Sequence, residues 1–411
     1  MAKRHLGLGK AAKAKKQKVE PEASETSNEL TVELNEETDA DDELAQLKAL
    51  WKTYRESEKE NKLVVNGIIH ECDRLLRNAG EGEKIQELPD YFHLVYALAL
   101  AELANHHVDD KSKVKEFYDA ALERVDVGLE KYPESIESKF AKSKLLVNQI
   151  PLQYISELEI ESKVGKKFPD LSTFLDEALE TYEAAETISN ETNAYEMFNE
   201  ETLEILQAVD DLLDIVDNFG RDISEGDNED DEPVDLLKTH PVYGIRETDK
   251  YNQWWRDHSI VFLSGVDKGI EKAGDEISED HPSVSLRREV CKRIGQSYLQ
   301  ESEIPSGVFT ALMYDEDVRG EEKLHGLTGP QAQEIAQELI STALKYFEWA
   351  KDEEEPESWV RIAEAKISLG NMYEVDSAEQ EECYAEAEKI LSKANNVTNG
   401  KYLDVLENLL G

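Results

Sequence analysis

The sequence predicts an all-α fold: degenerate tetratricopeptide-like helical hairpins stacked into a solenoid or into two packed helical halves. Three observations carry this expectation. Apolar residues recur with a period near 3.6 almost throughout, as helices that bury one face require. No alternating strand pattern of useful length interrupts them. A large–small–large–small pattern with steps of three, four and three residues returns four times, at Tyr118-Ala121-Val125-Gly128, Leu175-Ala178-Tyr182-Ala185, Ile340-Ala343-Phe347-Ala350 and Tyr384-Ala387-Leu391-Ala394. Small residues at its second and fourth positions let neighbouring helices approach closely, as in the second helix of a tetratricopeptide hairpin.

Residues 1–41 hold few large apolar side chains, so they cannot bury enough surface to offset ordering entropy and are expected to be disordered. The first helix begins near Asp41 and Asp42, acids that suit a helix N-terminus, and buries Leu44, Leu47, Trp51 and Tyr54. Val65, Ile68, Ile69, Cys72 and Leu76 repeat the stripe. Further helices follow over about 90–107, 112–132, 135–149, 171–188 and 194–219. The run DISEGDNEDDEPVD (222–235) packs like charges too densely for a helix or strand and reads as solvated. Helices resume over about 249–273, 283–302, 330–351, 357–374, 377–395 and 401–410. The expected organisation is therefore a tail (1–41), an N-terminal helical half (42–221), an acidic linker and loop (222–248) and a C-terminal helical half (249–411).

First-helix signatures are sparser: Ile294-Gly295 with Tyr298, and Leu369-Gly370 with Tyr373, match an L-G-x2-Y element. Trp359 is out of phase with the latter, and the intervals between matches are longer and less regular than about 34 residues. Irregular helical packing without true repeats is the alternative that these departures leave open.

Charge is the clearest functional signal. The chain of 411 residues has a net charge of −45, yet its first 18 residues carry Lys3, Arg4, Lys10, Lys13, Lys15, Lys16 and Lys18 and no acid. Setting those seven aside leaves 52 excess negative charges on residues 19–411. Such a body repels nucleic-acid backbones and anionic membranes and attracts basic proteins. The two basic clusters of the tail, separated by a short spacer, resemble a bipartite nuclear import signal that an import receptor would read; the other reading is a generic RNA- or ribosome-touching tail. A mitochondrial presequence is disfavoured by the single Arg and the absence of Ser before residue 24.

Little in the sequence points to chemistry. Cys72, Cys291 and Cys383 form no CxxC pair, so neither a zinc site nor a disulfide framework is signalled. No apolar run reaches the roughly 18 residues of a membrane span. Gly7-Leu8-Gly9-Lys10 lacks the spacing, strand and Ser/Thr of a phosphate loop. His107-Val108-Asp109 has the spacing of part of an iron facial triad but no second His, and reads as a surface pair. Asp227 to Glu232 lack the central Gly of a calcium loop. No HExxH, GxSxG or distinct carboxylate pair stands out. We therefore expect no enzyme, no metal and no cofactor.

The aromatic segment 240–263 is the candidate partner-binding site, through Tyr251, Trp254 and Trp255. Tyr251, Trp255, His258 and Phe262 share the helical face expected to meet the core, whereas Trp254 is turned about 100° away. An exposed Trp marks a partner surface; packing of both rings between adjacent hairpins is the competing reading.

The blocks MAKRHLGLGK, DDELAQLKALWKTY, NGIIHECDRLLRN, YFHLVYALALAEL and HPVYGIRETDKYNQWW resemble the fungal enhancer-of-translation-termination family, and the resemblance runs the length of the chain. That family is similar in architecture to the fission-yeast negative regulator of a prolyl-hydroxylating oxygenase. The resemblance implies a nuclear protein that promotes correct stop-codon termination, and shuttling to the cytoplasm is expected with it. It also implies cooperation with a 2-oxoglutarate oxygenase that hydroxylates a ribosomal protein, and a link to oxygen-dependent gene expression, translation and transcription. It supplies no catalytic residues. An acidic chaperone or import escort for a basic ribosomal protein is the rival reading.

Overall fold

The computed structural model describes residues 3–6, 30–33, 39, 42–57, 59, 61–80, 87–221, 234–274, 278, 281–315, 318 and 321–410. Within the tail, β1 (Lys3–Leu6) pairs antiparallel with β2 (Leu30–Glu33), Lys3 opposite Glu33. All other regular elements among the described residues are helical.

The chain divides into two compact units, Met1–Ala194 with Gln207–Asp249, and Tyr195–Leu206 with Lys250–Gly411. This differs from the halves read off the sequence. Residues 234–249 belong to the first unit, a short piece of the first predicted half belongs to the second, and 222–233 lie outside the described residues.

The first unit opens with α1 (Glu43–Arg55), capped by the Asp42 carboxylate, which accepts from the Ala45 N–H at 2.9 Å. α2 (Lys62–Gly80), α3 (Asp90–Asn105), α4 (Lys111–Lys131) and α5 (Ile136–Gln149) follow. Leu47, Tyr54, Val65, Ile68, Cys72, Phe92 and Tyr118 form one continuous core. α3 and α4 form a closely packed hairpin. A Cβ at Gly128 would stand 2.8 Å from His93 Cβ, so only glycine permits this approach. The Asp90 carboxylate accepts from the Ser135 and Ser138 hydroxyls and ties the start of α3 to the α4–α5 turn.

After α5 the helix widens into one π-turn at Ile150–Tyr154, because Pro151 has no N–H to continue the regular ladder. A 3₁₀ turn ends it at Glu157. α6 (Leu171–Thr192) folds back on α5, with Phe140 edge-on to Tyr182 at 5.1 Å and Lys142 bridging to Glu177. α7 (Glu200–Asp217) contains the boundary between the units, and α8 (Tyr243–Arg246) is a single turn. The stretch before α8 is pinned within the first unit: Val164 N–H donates to Thr239 O at 2.8 Å, and the His240 ring nitrogen donates to Glu159 O at 3.1 Å.

The second unit holds α9 (Lys250–Ala273), α10 (Pro282–Glu301), α11 (Glu303–Tyr314), α12 (Gly329–Ala350), α13 (Pro356–Gly370), α14 (Ala378–Val397) and α15 (Leu403–Leu410). Its hairpins are α10 with α12 and α13 with α14, and in both the L-G-x2-Y glycine is the point of closest approach. A Cβ at Gly295 would lie 2.7 Å from the Phe347 ring, and one at Gly370 would lie 2.6 Å from the Tyr384 ring. α11 is inserted between the two members of a hairpin, which accounts for the irregular spacing of the sequence pattern. All four pattern matches fall on the second helix of a hairpin: α4, α6, α12 and α14. Every one of their sixteen positions except Tyr384 is buried.

Candidate partner-binding surface

Residues 250–263 of the aromatic segment form the first half of α9, while residues 240–249 belong to the first unit and carry α8. Tyr251 and Trp255 are 2% and 4% exposed, and both belong to the core. The Trp255 indole N–H donates to Leu206 O at 2.8 Å, so the ring fastens α9 to the start of α7 within the second unit. Two turns on, Phe262 meets Phe198 edge-on at 5.7 Å, over Gly265. Burial leaves Tyr251 and Trp255 no face to offer a partner, which corrects their assignment as contact residues; they hold the helix that presents Trp254. That ring is half-buried and stacks on His258 at 4.3 Å, four residues along.

Sequence reading missed a second aromatic surface. Arg256 donates to the Ser297 hydroxyl at 3.1 Å, pairs with Glu301 and lies over the Tyr298 ring at 4.4 Å. Tyr298 stacks on Tyr346 at 5.8 Å, and Tyr346 meets Trp349 edge-on at 5.2 Å. Trp349 is 42% exposed, with Lys345 and Arg287 over its ring at 5.0 and 5.9 Å. The signal was available: Trp349 is two residues past the core position Phe347, about 200° around the helix. Beside it, Ser285, Arg288, Lys292, Asp352, Ser358 and Arg361 line a cleft of about 110 Å³. Within it Arg288 pairs with Asp352 and Lys292 with Glu289.

Of the import-signal residues, Lys3 and Arg4 lie on β1, and Lys10, Lys13, Lys15, Lys16 and Lys18 lie outside the described residues. The phosphate-loop-like Gly7–Lys10 and the acidic run Asp227–Glu232 also lie outside them. His107 packs on Phe117 at 5.5 Å. Among the described residues no group of three His, Cys, Asp or Glu side chains could hold a metal ion. All three cysteines are free, and no described helix is long and apolar enough to cross a membrane.

Fold and surface together define a class: a helical-hairpin protein built on small-residue contacts, with its exposed aromatic groups spread over helix faces. The chain belongs to the Nro1 family, whose model, described as nuclear pore complex subunit Nro1, matches residues 1–410. It is 60% identical over 440 residues to enhancer of translation termination 1 of Scheffersomyces stipitis, with both chains covered in full. It is 54% identical over 431 residues to the protein of that name in Candida albicans strain SC5314, again in full. Among solved structures, one described as the hypoxic regulator of sterol synthesis Nro1, a nuclear import adaptor, superposes with a TM-score of 0.57 at 15% identity, over 89% of this chain and 93% of that one. The structure of the S. pombe nuclear import adaptor Nro1 in space group P21 gives 0.55 at 15% identity, over 89% of this chain and 98% of that one. At that identity the match shows a shared fold.

Proposed function

We propose that this chain is a non-catalytic nuclear adaptor that binds a basic protein through its acidic helical body and brings it to an import receptor through its basic tail. The observation that carries the reading is the charge division: seven positive residues and no acid in 1–18, against a net −52 on 19–411. The family's relatives include an import adaptor of the same fold, which favours the escort reading over a purely regulatory one. The client class is a basic ribosomal or ribosome-associated protein, because a body of this charge accelerates encounter with cationic partners and repels nucleic acid and anionic membrane.

The names of the close relatives support a role in translation termination. We extend this to joint action with a prolyl-hydroxylating 2-oxoglutarate oxygenase on a ribosomal protein, and to oxygen-dependent gene expression, on the family resemblance. Of the aromatic candidates, Trp254 is the contact residue, since it alone of the three reaches the surface.

The test is a binding experiment between the full chain and a basic ribosomal protein, read by stopped-flow. Added salt slows association more than it speeds dissociation, and Trp254→Ala raises the dissociation rate with helicity unchanged. Kinetics indifferent to salt would reduce the acidic body to a solubility device. Co-purification of the chain with a 2-oxoglutarate oxygenase, and loss of prolyl hydroxylation on the client when the chain is absent, test the second part.

A further inference from the structure

His240 is buried where the stretch 234–242 meets the loop 157–168, both within the first unit. Its two ring nitrogens are committed to opposite roles. Nε2 lies 3.1 Å from Glu159 O, and a carbonyl oxygen can only accept, so Nε2 carries a hydrogen. Nδ1 lies 3.4 Å from the Val242 backbone nitrogen, whose N–H can only donate, so Nδ1 carries none. The two contacts together fix the neutral Nε2–H tautomer. An imidazolium has a hydrogen on each nitrogen. Protonation therefore sets a new Nδ1–H against the Val242 N–H, and Val242 is anchored by a fully buried side chain.

The surroundings also oppose a charge on the ring. The Phe219 ring stands 5.1 Å away at the end of α7. Arg246 of α8, which donates to Val234 O at 3.0 Å, repels a second cation, and Asp217 of α7 interacts with that arginine. On the loop, Glu159 offers its carbonyl while its carboxylate is exposed, and Glu161, Lys163, Lys166 and Lys167 are exposed as well. On the ring's own stretch, so are Asp235 and Lys238. Burial pushes the ring's pKa below its ordinary 6.5, the Glu159 carbonyl draws it back up, and Arg246 pushes it down further. The residues on either side of His240 are tied down by backbone bonds, Val164 N–H to Thr239 O at 2.8 Å and Leu171 N–H to Pro241 O at 3.1 Å.

We propose that His240 is a pH-sensitive latch: neutral, it closes the stretch 234–242 onto the loop 157–168, and protonation of Nδ1 releases this joint while the rest of the first unit stays folded. The latch concerns local opening and does not depend on the partner-binding reading. It is fully closed above about pH 6.5 and loosens as pH falls below that, because the open chain takes up a proton that the closed ring refuses. At its ordinary 6.5 an open imidazole is about one-eleventh protonated at pH 7.5 and about ten-elevenths at pH 5.5, so opening gains up to about tenfold across that window.

Amide hydrogen exchange of the full chain, resolved by NMR and divided by the intrinsic exchange rate at each pH, tests the latch. The amides of Val164, Leu171 and Val242 should lose up to about tenfold of their protection between pH 7.5 and pH 5.5, whereas that of Ala121 in α4 should keep its own. His240→Gln, whose side-chain amide can still donate to Glu159 O but takes up no proton, should hold its protection constant over the same window. Constant protection in the parent, an equal fall at Ala121, or the same fall in His240→Gln would overturn the proposal. Should His240→Gln open the joint at every pH, the ring signals of the parent decide. The latch expects a midpoint below 6.5 and the Nε2–H tautomer at pH 7.5; a midpoint at or above 6.5, or the Nδ1–H tautomer, would overturn it.

Discussion

Gly295 and Gly307 are both helical glycines of the second unit, and the same substitution should move stability in opposite directions at the two positions. In a helix interior, Gly→Ala gains about 1 kcal/mol from reduced backbone freedom in the unfolded chain. At Gly307 a Cβ meets nothing within 4 Å, so that gain should appear almost whole, at about 0.5–1 kcal/mol. At Gly295 the new methyl would lie 2.7 and 2.8 Å from two atoms of the Phe347 ring and 3.2 Å from the Ala343 carbonyl oxygen. Phe347 is 2% exposed and packed with Ala343, Ile362 and Ala365, so the ring has no free volume to enter. Overpacking of this kind costs about 1–3 kcal/mol, which offsets the backbone gain and leaves a net loss of up to about 2 kcal/mol. Urea denaturation followed by circular dichroism at 222 nm, a standard helix wavelength, compares the two variants, and the difference between them should approach 2 kcal/mol at about equal slopes. Stabilisation of similar size in both would refute the close approach of α10 to α12, and with it the reading of the small-residue pattern as a hairpin contact.

Trp255→Phe removes the donor to Leu206 O and leaves that carbonyl buried without its indole partner, so unfolding measurements should show a loss of about 1–3 kcal/mol, whereas Trp254→Ala, at a half-exposed ring, should lose less than about 1 kcal/mol. His93 is 1% exposed with no hydrogen-bond partner for either ring nitrogen among the described residues, and burial, with Lys131 and Arg124 adding to it, pushes its pKa down to about 4 against the opposing pull of Asp90. Its contribution is therefore fully present above about pH 6.5 and is lost as pH falls toward 4, because the unfolded chain takes up a proton that the fold refuses. Stability measured between pH 7 and pH 4 should fall by about 1–3 kcal/mol less in His93→Leu than in the parent, and identical profiles would remove His93 from the acid response.

The hairpins were legible because close helix packing leaves a compositional trace. Ala and Gly stand where backbones touch, and those positions, from Ala121 to Ala394, are buried in all four second helices. α11 left no such trace. Pro305 and Gly307 look like breakers, yet a Pro in the first turn gives up an N–H that has no partner there in any case, and Gly307 sits on the open face. The π-turn at Ile150–Tyr154 was hidden for the opposite reason: Pro151 ends an ordinary helix, and the widened turn that absorbs it depends on packing that places Ile150 in the interior. Likewise α7 starts at Glu200, after a 3₁₀ turn at Tyr195–Met197, where the periodic pattern placed the start near 194. In the aromatic segment, period alone put Tyr251 and Trp255 inward and Trp254 outward, as the structure has them. Period also turns Trp349 outward, but it does not join Arg256, Tyr298, Tyr346 and Trp349, which lie on three helices and meet only in the folded unit.

The central claim, that the acidic body carries a basic protein while the tail brings it to an import receptor, is tested most directly by nuclear import in permeabilised cells. A labelled basic ribosomal protein is supplied with purified import receptors and either the parent chain or a variant with Lys3, Arg4, Lys10, Lys13, Lys15, Lys16 and Lys18 all changed to Ala. The account predicts that the parent chain and its client accumulate together in nuclei, and that the variant still binds the client but leaves both outside. Equal nuclear accumulation of the client with the parent, the variant or no added chain would contradict it.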